Sequence, residues 1–306
     1  MKIAIVGSQG FIGRHLTESF RHDGAELHLF SSRAGTGINP ASGLLYPEFR
    51  LPRGLDAVYY LAQSPFYRAG SENAEHLKAV NVNSAVQIAK LAAETACPKF
   101  IYTSSANVYA KSFDPQTETC PTRDDNPYSK TKFLAETELA QLNQEIEVVI
   151  PRLFGIFGPA QREMLIPNLA TRIAAGAPIL LEPNPTQPQD QDGLRISALL
   201  VSDAVQILKT FAHTSGISLI NVAGPEALSI RLLATAIAKQ LEIATTFETA
   251  PAARTTDFIA DISYLKEKLN PAFTPFQEAI RMTIDELKPL LQKRPAPVLN
   301  AQKRPD

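Results

Sequence analysis

A doubly wound α/β fold, a parallel sheet covered by helices on both faces with a smaller C-terminal α/β region, is predicted by three features of the sequence. Short runs that are apolar on both faces alternate with longer helical patterns. Three glycines, Gly7, Gly10 and Gly13, stand between the first such run and the first helix. The 306 residues, 44% of them apolar, suffice to bury a sizeable core.

The elements follow in order. Lys2–Val6 reads as a strand and Arg14–His22 as a helix after the glycine turn. Glu26–Phe30 is the second strand and Ala57–Ala62 the next, followed by a helix around Ala74–Thr95. Lys99–Thr103 precedes a helix over Tyr128–Asn143, and Glu147–Leu153 is again a strand. After Pro159 the pattern changes. A helix over Met164–Ala175 and a strand at Ile179–Leu181 lead into "EPNPTQPQDQDG" (182–193), whose prolines and polar residues predict an exposed loop. Ser197–Ser202 and Ser218–Ala223 read as strands, with a helix between them from Asp203. Ser229 can cap a helix over Ile230–Leu241. Thr274, Pro275 and Gln277 supply a cap, a first-turn proline and a capping-box glutamine for a helix ending near Leu291. The tail from Arg294 carries three prolines and mixed charge and reads as loose.

Net charge is -1 with no block of like charge, which argues against a nucleic-acid or anionic-membrane binder. Cys97 and Cys120 are too few for a disulfide framework and have no metal-ligand spacing, so no metal is expected. The chain runs from Met1-Lys2 directly into a strand, and no apolar run approaches the ~20 residues of a membrane span. A soluble cytoplasmic protein with a small-molecule substrate is the expectation.

In "IVGSQGFIGRH", glycine permits a tight turn and lets the backbone approach a pyrophosphate, whose charge the helix start favours. The motif lies in the first βα turn, where this fold binds dinucleotides. The second strand ends "LHLFSSR". A carboxylate there would bond the ribose 2′-hydroxyl of NAD and repel a 2′-phosphate. Ser31, Ser32 and Arg33 instead suit a phosphate, so NADP(H) is favoured over NAD(H).

"NPYSKTKFLAE" places Tyr128 and Lys132 four apart near a helix start, hence on one face. A tyrosine can pass a proton to or from an alcohol or ketone once its pKa, ~10 unperturbed, is brought down, and a nearby ammonium does this. A serine hydroxyl can orient the same substrate oxygen. The strand-end pair Ser104-Ser105 precedes the Tyr–Lys pair in a chain that begins with a dinucleotide loop.

With these elements together, the sequence resembles the extended short-chain dehydrogenase/reductases of the NAD-dependent epimerase/dehydratase group, which act mainly on nucleotide-sugars. The likeness runs from Met1 to about Leu287. It rests on the glycine motif, on Tyr60-Leu61-Ala62-Gln63, on Asn81–Ala85, on Ser104–Ala110, on Asn126–Lys132, on Arg152–Pro159, on Val201–Val205 and on Asn221–Gly224. The resemblance implies that Ser105 is the catalytic serine, that Tyr128 is the acid/base, and that Lys132 tunes it and holds the nicotinamide ribose. It implies a cofactor-binding set of Gly7, Gly10, Phe11, Ile12, Gly13, Ser31, Ser32, Arg33, Leu61, Ala62, Gln63 and Asn81 with Tyr128 and Lys132. Residues 1–160, with return segments near 196–222, would be the Rossmann domain and 161–293 the substrate-binding region. Arg172, Arg195 and Arg231 are candidates for a substrate diphosphate. A homodimer through the helices around 74–95 and 128–143 is also implied. The stretch from Arg33 to Asp56 is short for the family, so a trimmed third strand and helix are expected.

Sugar 4,6-dehydratases of this family place an Asp-Glu pair directly after the catalytic hydroxyl residue. Decarboxylating relatives carry a Glu nearby, and 3,5-epimerising reductases a Cys. Here those positions hold Ala106 and Asn107. What remains is hydride transfer with one proton at one carbon, by a 4-epimerase or by a reductase or dehydrogenase. "FSSR" tilts toward a reductase and the family toward an epimerase, and both stay open. Two alternatives are an NADP-dependent dehydrogenase of a non-sugar alcohol or aldehyde and a catalytically silent NADP-binding regulator. The intact Ser105, Tyr128 and Lys132 set speaks against the latter.

Overall fold

The computed structural model describes residues 1–68 and 71–291, so the tail predicted from Arg294 lies outside the described residues. In chain order the elements begin β1 (Lys2–Val6), α1 (Phe11–His22), β2 (Glu26–Phe30), β3 (Ala57–Tyr60), α2 (Ala74–Lys78), a π-helical turn (Ala79–Ser84) and α3 (Ala85–Glu94). They continue β4 (Lys99–Tyr102), β5 (Ser104–Ser105), α4 (Pro127–Ala140), β6 (Glu147–Leu153), β7 (Ile156–Phe157), α5 (Leu165–Ala174) and β8 (Ile179–Leu181). The remainder are β9 (Arg195–Ile196), β10 (Leu199–Leu200), α6 (Val201–Thr210), β11 (Leu219–Val222), β12 (Leu228–Ser229), α7 (Ile230–Leu241), β13 (Phe247–Thr249), α8 (Ser263–Leu269) and α9 (Phe276–Leu291).

The chain divides into two compact units. The first comprises Met1–Ile156, Ile196–Ala227 and Thr256–Phe273. Its sheet runs β2-β1-β3-β4-β6-β11, with β5 following β4 alongside β6. All of its pairings are parallel. Side chains alternate between two cores, as a pleated strand requires. Ile3, Ile5, Tyr59, Ile101 and Val149 pack with Leu16 and Phe20 of α1, Leu208 of α6 and Leu265 of α8. Ala4, Val6, Tyr60, Tyr102 and Val148 pack with Ile88 of α3 and Leu139 of α4. Burial on both faces explains why the strands read as unbroken apolar runs.

β1 has β2 on one side and β3 on the other, with Val6 opposite both Phe30 and Tyr60. The strand order reverses there, and a doubly wound sheet opens its ligand crevice at such a point, beyond the carboxyl ends. β2 is the edge strand, and the third strand and its helix are trimmed away. In their place Ile38, Phe49, Leu51 and Leu55 are buried against the second core. The Phe30 and Phe49 rings lie 4.8 Å apart.

Several sequence expectations shift. α1 starts at Phe11 rather than Arg14, because Gly10 is itself the N-cap. β3 ends at Tyr60, not Ala62. The helix expected at 128–143 spans Pro127–Ala140, and the one expected from Asp203 starts at Val201, which shortens the preceding strand to Leu199–Leu200. The helix around 74–95 is interrupted by the π-helical turn, whose Val80 and Asn81 carbonyls accept the buried Tyr60 and Tyr102 hydroxyls at 2.5 and 2.9 Å. Residues 256–273, placed with the C-terminal region by the sequence reading, belong to the first unit, where Gln116 N–H donates to the Ile259 carbonyl at 2.8 Å.

The second unit holds Phe157–Arg195, Leu228–Thr255 and the chain from Thr274. α7 packs against both α5 and α9, and β8 pairs in parallel with β13. The polar loop 182–193 is only partly exposed. Asp190 is buried because the buried Arg254 guanidinium needs a partner, and its Oδ2 accepts from it at 2.5 Å, while the buried Asn184 donates its N–H to the Asp190 carbonyl at 3.2 Å.

Gly13 leaves no space for a side chain, since a Cβ there would lie 2.2 Å from the Gly7 carbonyl oxygen, against 3.2 Å for one at Gly10. Gly13→Ala should lower the unfolding free energy by about 1–3 kcal/mol, and Gly10→Ala by clearly less, as read from urea midpoints at constant slope.

Candidate functional site

Four segments meet at the carboxyl ends of β1, β3 and β5. The glycine loop follows β1, with Gly7 and Ser8 N–H groups donating to the Phe30 carbonyl at 2.9 and 3.2 Å. Gly7 has φ +90°, and a Cβ there would lie 2.7 Å from the Ala62 nitrogen. The loop is therefore pressed against the turn Leu61-Ala62-Gln63 that leaves β3. That turn reaches the third segment, where the Tyr128 hydroxyl donates to Gln63 Oε1 at 3.1 Å. Ser105, the last residue of β5, completes the group, its hydroxyl favouring the charged form of the Tyr128 phenol.

Local sequence explains each position. Asn126 caps α4 by accepting from Ser129 N–H at 2.9 Å, and Pro127 at the first helical position has the φ a helix start needs. Tyr128 thus stands in the first turn, facing the strand ends, and is half-buried. Ser129 is buried and donates to the Asn107 carbonyl at 2.7 Å, tying this turn to the residues after Ser105. Ser105 caps a short 3-10 turn, Ala106–Val108, accepting from Asn107 N–H at 3.2 Å and from Asn107 Nδ2 at 3.1 Å.

One helical turn further on, Lys132 is only 2% exposed. Its ammonium donates to the Thr103 carbonyl at 2.8 Å and lies 4.7 Å from the centroid of the Tyr102 ring. Burial pulls its pKa down to about 7, opposed by the Glu136 carboxylate another turn along. Glu136 is itself buried and grips Arg152 of β6, with Nε and Nη2 donating at 2.6 to 3.2 Å, while Ser104 donates to it from β5. The sequence led to the expectation of a tyrosine with lowered pKa. Burial instead raises Tyr128 to about 12, with the Ser105 hydrogen bond pulling the other way. Tyr128 is thus a protonated phenol at neutral pH in this geometry.

The glycine loop fits a dinucleotide. α1 starts without a side-chain cap and carries no acidic residue in its first turn, so its unpaired N–H groups favour an anion. Phe11 and Ile12 belong to that turn and are partly buried. Ser31 is buried at the end of β2, while Ser32 and Arg33 are exposed on the short 3-10 turn Ser32–Ala34. Asn81 is buried in the π-helical turn and donates to Thr131 Oγ1 at 3.1 Å, bracing α4 from behind.

The arginines singled out for substrate lie in the second unit, each with a protein partner. Arg172 donates to the Pro178 carbonyl at 2.6 Å, Arg195 lies 3.2 Å from Asp190, and Arg231 donates to Asp192 at 2.8 Å and covers the Phe247 ring. Sequence reasoning passed over Arg254 and Glu136, and took Asn107 only as a residue lacking an acid. An arginine inside the apolar run "EVVIPRL" was a usable signal, because a charge on a doubly covered strand demands a buried partner. Among the described residues no group of three His, Cys, Asp or Glu side chains is arranged to hold a metal, and no helix is long and apolar enough to cross a membrane.

The family model for the NAD-dependent epimerase/dehydratase family matches residues 3–195. The chain belongs to that family. Among curated members it is 27% identical over 186 residues to an uncharacterised UDP-glucose epimerase, YtcB, of Bacillus subtilis, covering 53% of this chain and 58% of that protein. It is also 27% identical over 181 residues to the mouse decarboxylating sterol-4-alpha-carboxylate 3-dehydrogenase, covering 54% and 48%. The match thus spans about half the length of these curated relatives. Among solved structures, the UDP-glucose 4-epimerase of Thermus thermophilus in complex with NAD superposes with a TM-score of 0.74 at 21% identity, over 94% of this chain and 99% of that one. The UDP-N-acetylglucosamine 4-epimerase of Methanobrevibacter ruminantium superposes with a TM-score of 0.78 at 19% identity, over 94% and 98%. These likenesses show the epimerase fold across nearly the whole chain.

The buried lysine makes stability depend on pH. Unfolded, Lys132 keeps its ordinary pKa of 10.5, and folded it falls to about 7. Between these values the unfolded chain holds more protons, so Lys132 makes stability rise with pH across that window, and its burial penalty is fully felt only below it. Lys132→Met should flatten this rise. Urea midpoints of the two proteins should differ most at about pH 6.5, and the difference should shrink steadily as the pH rises toward 10.5.

Proposed function

We propose that the protein transfers hydride at one carbinol or ketone carbon of a nucleotide-sugar, as a 4-epimerase or a 4-keto reductase, with a nicotinamide dinucleotide as cofactor. The observation that carries this is the convergence of Ser105 and Gln63 on the Tyr128 hydroxyl, at the crevice the glycine loop opens. A bound nicotinamide would supply the hydride chemistry. Tyr128 holds the proton that a carbonyl oxygen takes up on reduction and receives it back on oxidation. Ser105 steadies the same oxygen, and Lys132 beneath them supplies positive charge and a donor toward the cofactor ribose. Gly7, Gly10 and Gly13 would hold the pyrophosphate, flanked by Phe11 and Ile12, with Leu61, Ala62, Gln63 and Asn81 lining the crevice.

Similar structures are complexes with UDP-glucose and NAD and with UDP-glucuronic acid and NAD, which supports a nucleotide-sugar and a nicotinamide dinucleotide. NADP(H) is favoured here because β2 ends in Ser31, Ser32 and Arg33 with no carboxylate. Elimination chemistry is disfavoured: Ala106 and Asn107 follow Ser105, and Glu136 is committed to Arg152 and Ser104. A homodimer through α3 and α4 completes this reading, supported by the 38% exposure of Phe133 on α4.

A second reading, an NADP-dependent dehydrogenase of a non-sugar alcohol or aldehyde, is favoured by two observations. Arg172, Arg195 and Arg231 are each engaged by protein groups, and the sterol dehydrogenases are among the relatives. Assays with UDP-glucose and with a sterol alcohol separate the two.

Tyr128→Phe should keep dinucleotide binding, followed by NADPH fluorescence, and lose turnover by about 10²- to 10⁴-fold. A variant of near wild-type rate would remove the mechanism. Arg33→Asp should weaken NADPH far more than NADH, and an unchanged ratio of the two dissociation constants would remove the cofactor preference.

A further inference from the structure

The residue that follows Ser105 by two is bound more tightly than a turn requires. The Asn107 carbonyl accepts from Ser129 Oγ at 2.7 Å and from Arg123 Nε at 3.0 Å, which fixes its peptide. From that fixed position the Asn107 backbone N–H and Nδ2 both donate to Ser105 Oγ, at 3.2 and 3.1 Å. A hydroxyl oxygen has two acceptor positions and one proton. Asn107 fills both positions, and neither of its groups can accept. On the far side, the single proton of Tyr128 goes to Gln63 Oε1 at 3.1 Å. Any hydrogen bond that Ser105 makes to Tyr128 therefore takes its proton from Ser105. Every donor in the chain Asn107–Ser105–Tyr128–Gln63 points the same way, outward from the turn.

We propose that Asn107 is a positioning residue that fixes the hydrogen-bond polarity of Ser105, making it a donor only, toward Tyr128 and the oxygen of the reacting carbon. This rests on the site reading given above and adds a division of labour to it. A serine whose lone pairs are both filled cannot accept the proton of an alcohol. Proton transfer falls to Tyr128 alone, and Ser105 contributes stabilisation of negative charge on oxygen. A carboxylate at 107 would draw the Ser105 proton to itself and reverse the chain. The amide in this position thus does more than lack an acid.

The test replaces Tyr128 by 3-fluorotyrosine, whose phenol titrates at lower pH, and follows its midpoint by fluorine NMR. The proteins compared carry Asn107 or Asn107→Asp, each with Ser105 or Ser105→Ala. An added carboxylate raises the midpoint by charge in either background. If Asn107 sets the polarity of Ser105, Asn107→Asp raises it by about 1 to 2 pH units more when Ser105 is present, the worth of one hydrogen bond to a charged oxygen. Equal shifts in both backgrounds would overturn the proposal. Should Asn107→Asp not fold, Asn107→Leu gives a smaller rise that Ser105→Ala abolishes, and a rise that survives Ser105→Ala counts against it. If Ser105→Ala alone leaves the midpoint unmoved, Ser105 and Tyr128 do not share an oxygen and the site reading itself fails. A moved midpoint with no coupling to position 107 overturns only the role given to Asn107.

Discussion

The buried ion pair between Glu136 and Arg152 is the contact on which the site depends. Arg152 is 3% exposed in the interior of a strand covered on both faces, so its charge needs a partner at that depth. Glu136 provides it with two oxygens from α4, and Ser104, directly opposite Arg152 in the sheet register, donates to the same carboxylate. One carboxylate thereby locks a helix to two strands. Tyr128 and Lys132 lie two turns and one turn before Glu136 on the same face of α4, and Ser105 follows Ser104. Breaking such a pair by deleting one partner costs about 3–5 kcal/mol, a large share of the ~5–15 kcal/mol that holds a domain together.

Around this lock, the site sets two tendencies against each other. Burial pushes Tyr128 toward the neutral phenol and Lys132 toward the neutral amine. Hydrogen bonding from Ser105 and the field of Glu136 resist both shifts. Groups held between opposing influences change protonation with small changes in surroundings, which suits acid–base work. The glycine loop contributes by steric exclusion. Because Gly7 and Gly13 have no room for a Cβ, the loop lies directly on the turn that carries Gln63 to Tyr128.

Much of the sheet was legible in the sequence because its strands are apolar on both faces. Lys2–Val6 and Glu147–Leu153 have the limits the pattern predicts, as do the edge strand Glu26–Phe30 and, in the second unit, Ile179–Leu181. The trimmed third strand was legible too, from the shortness of 34–56. The π-helical turn was not, since its partners are the hydroxyls of Tyr60 and Tyr102 on distant strands. The return of 256–273 to the first unit rests on pairings more than a hundred residues apart. The proline-rich loop misled because composition reports solvent preference, whereas Arg254 determines the fate of Asp190. At the site, the Tyr–Lys spacing pointed to one face of α4, but the direction of the Tyr128 pKa did not follow, because burial outweighs the opposing influence of Ser105.

The central claim is that Ser105 and Tyr128 grip one oxygen of the substrate. A crystal structure with NADP⁺ and UDP-glucose tests it most directly. The account predicts one sugar hydroxyl oxygen about 2.6–3.2 Å from both Ser105 Oγ and Tyr128 Oη, with Gln63 displaced from Tyr128. A sugar bound elsewhere, with Gln63 still on the Tyr128 hydroxyl, would contradict it.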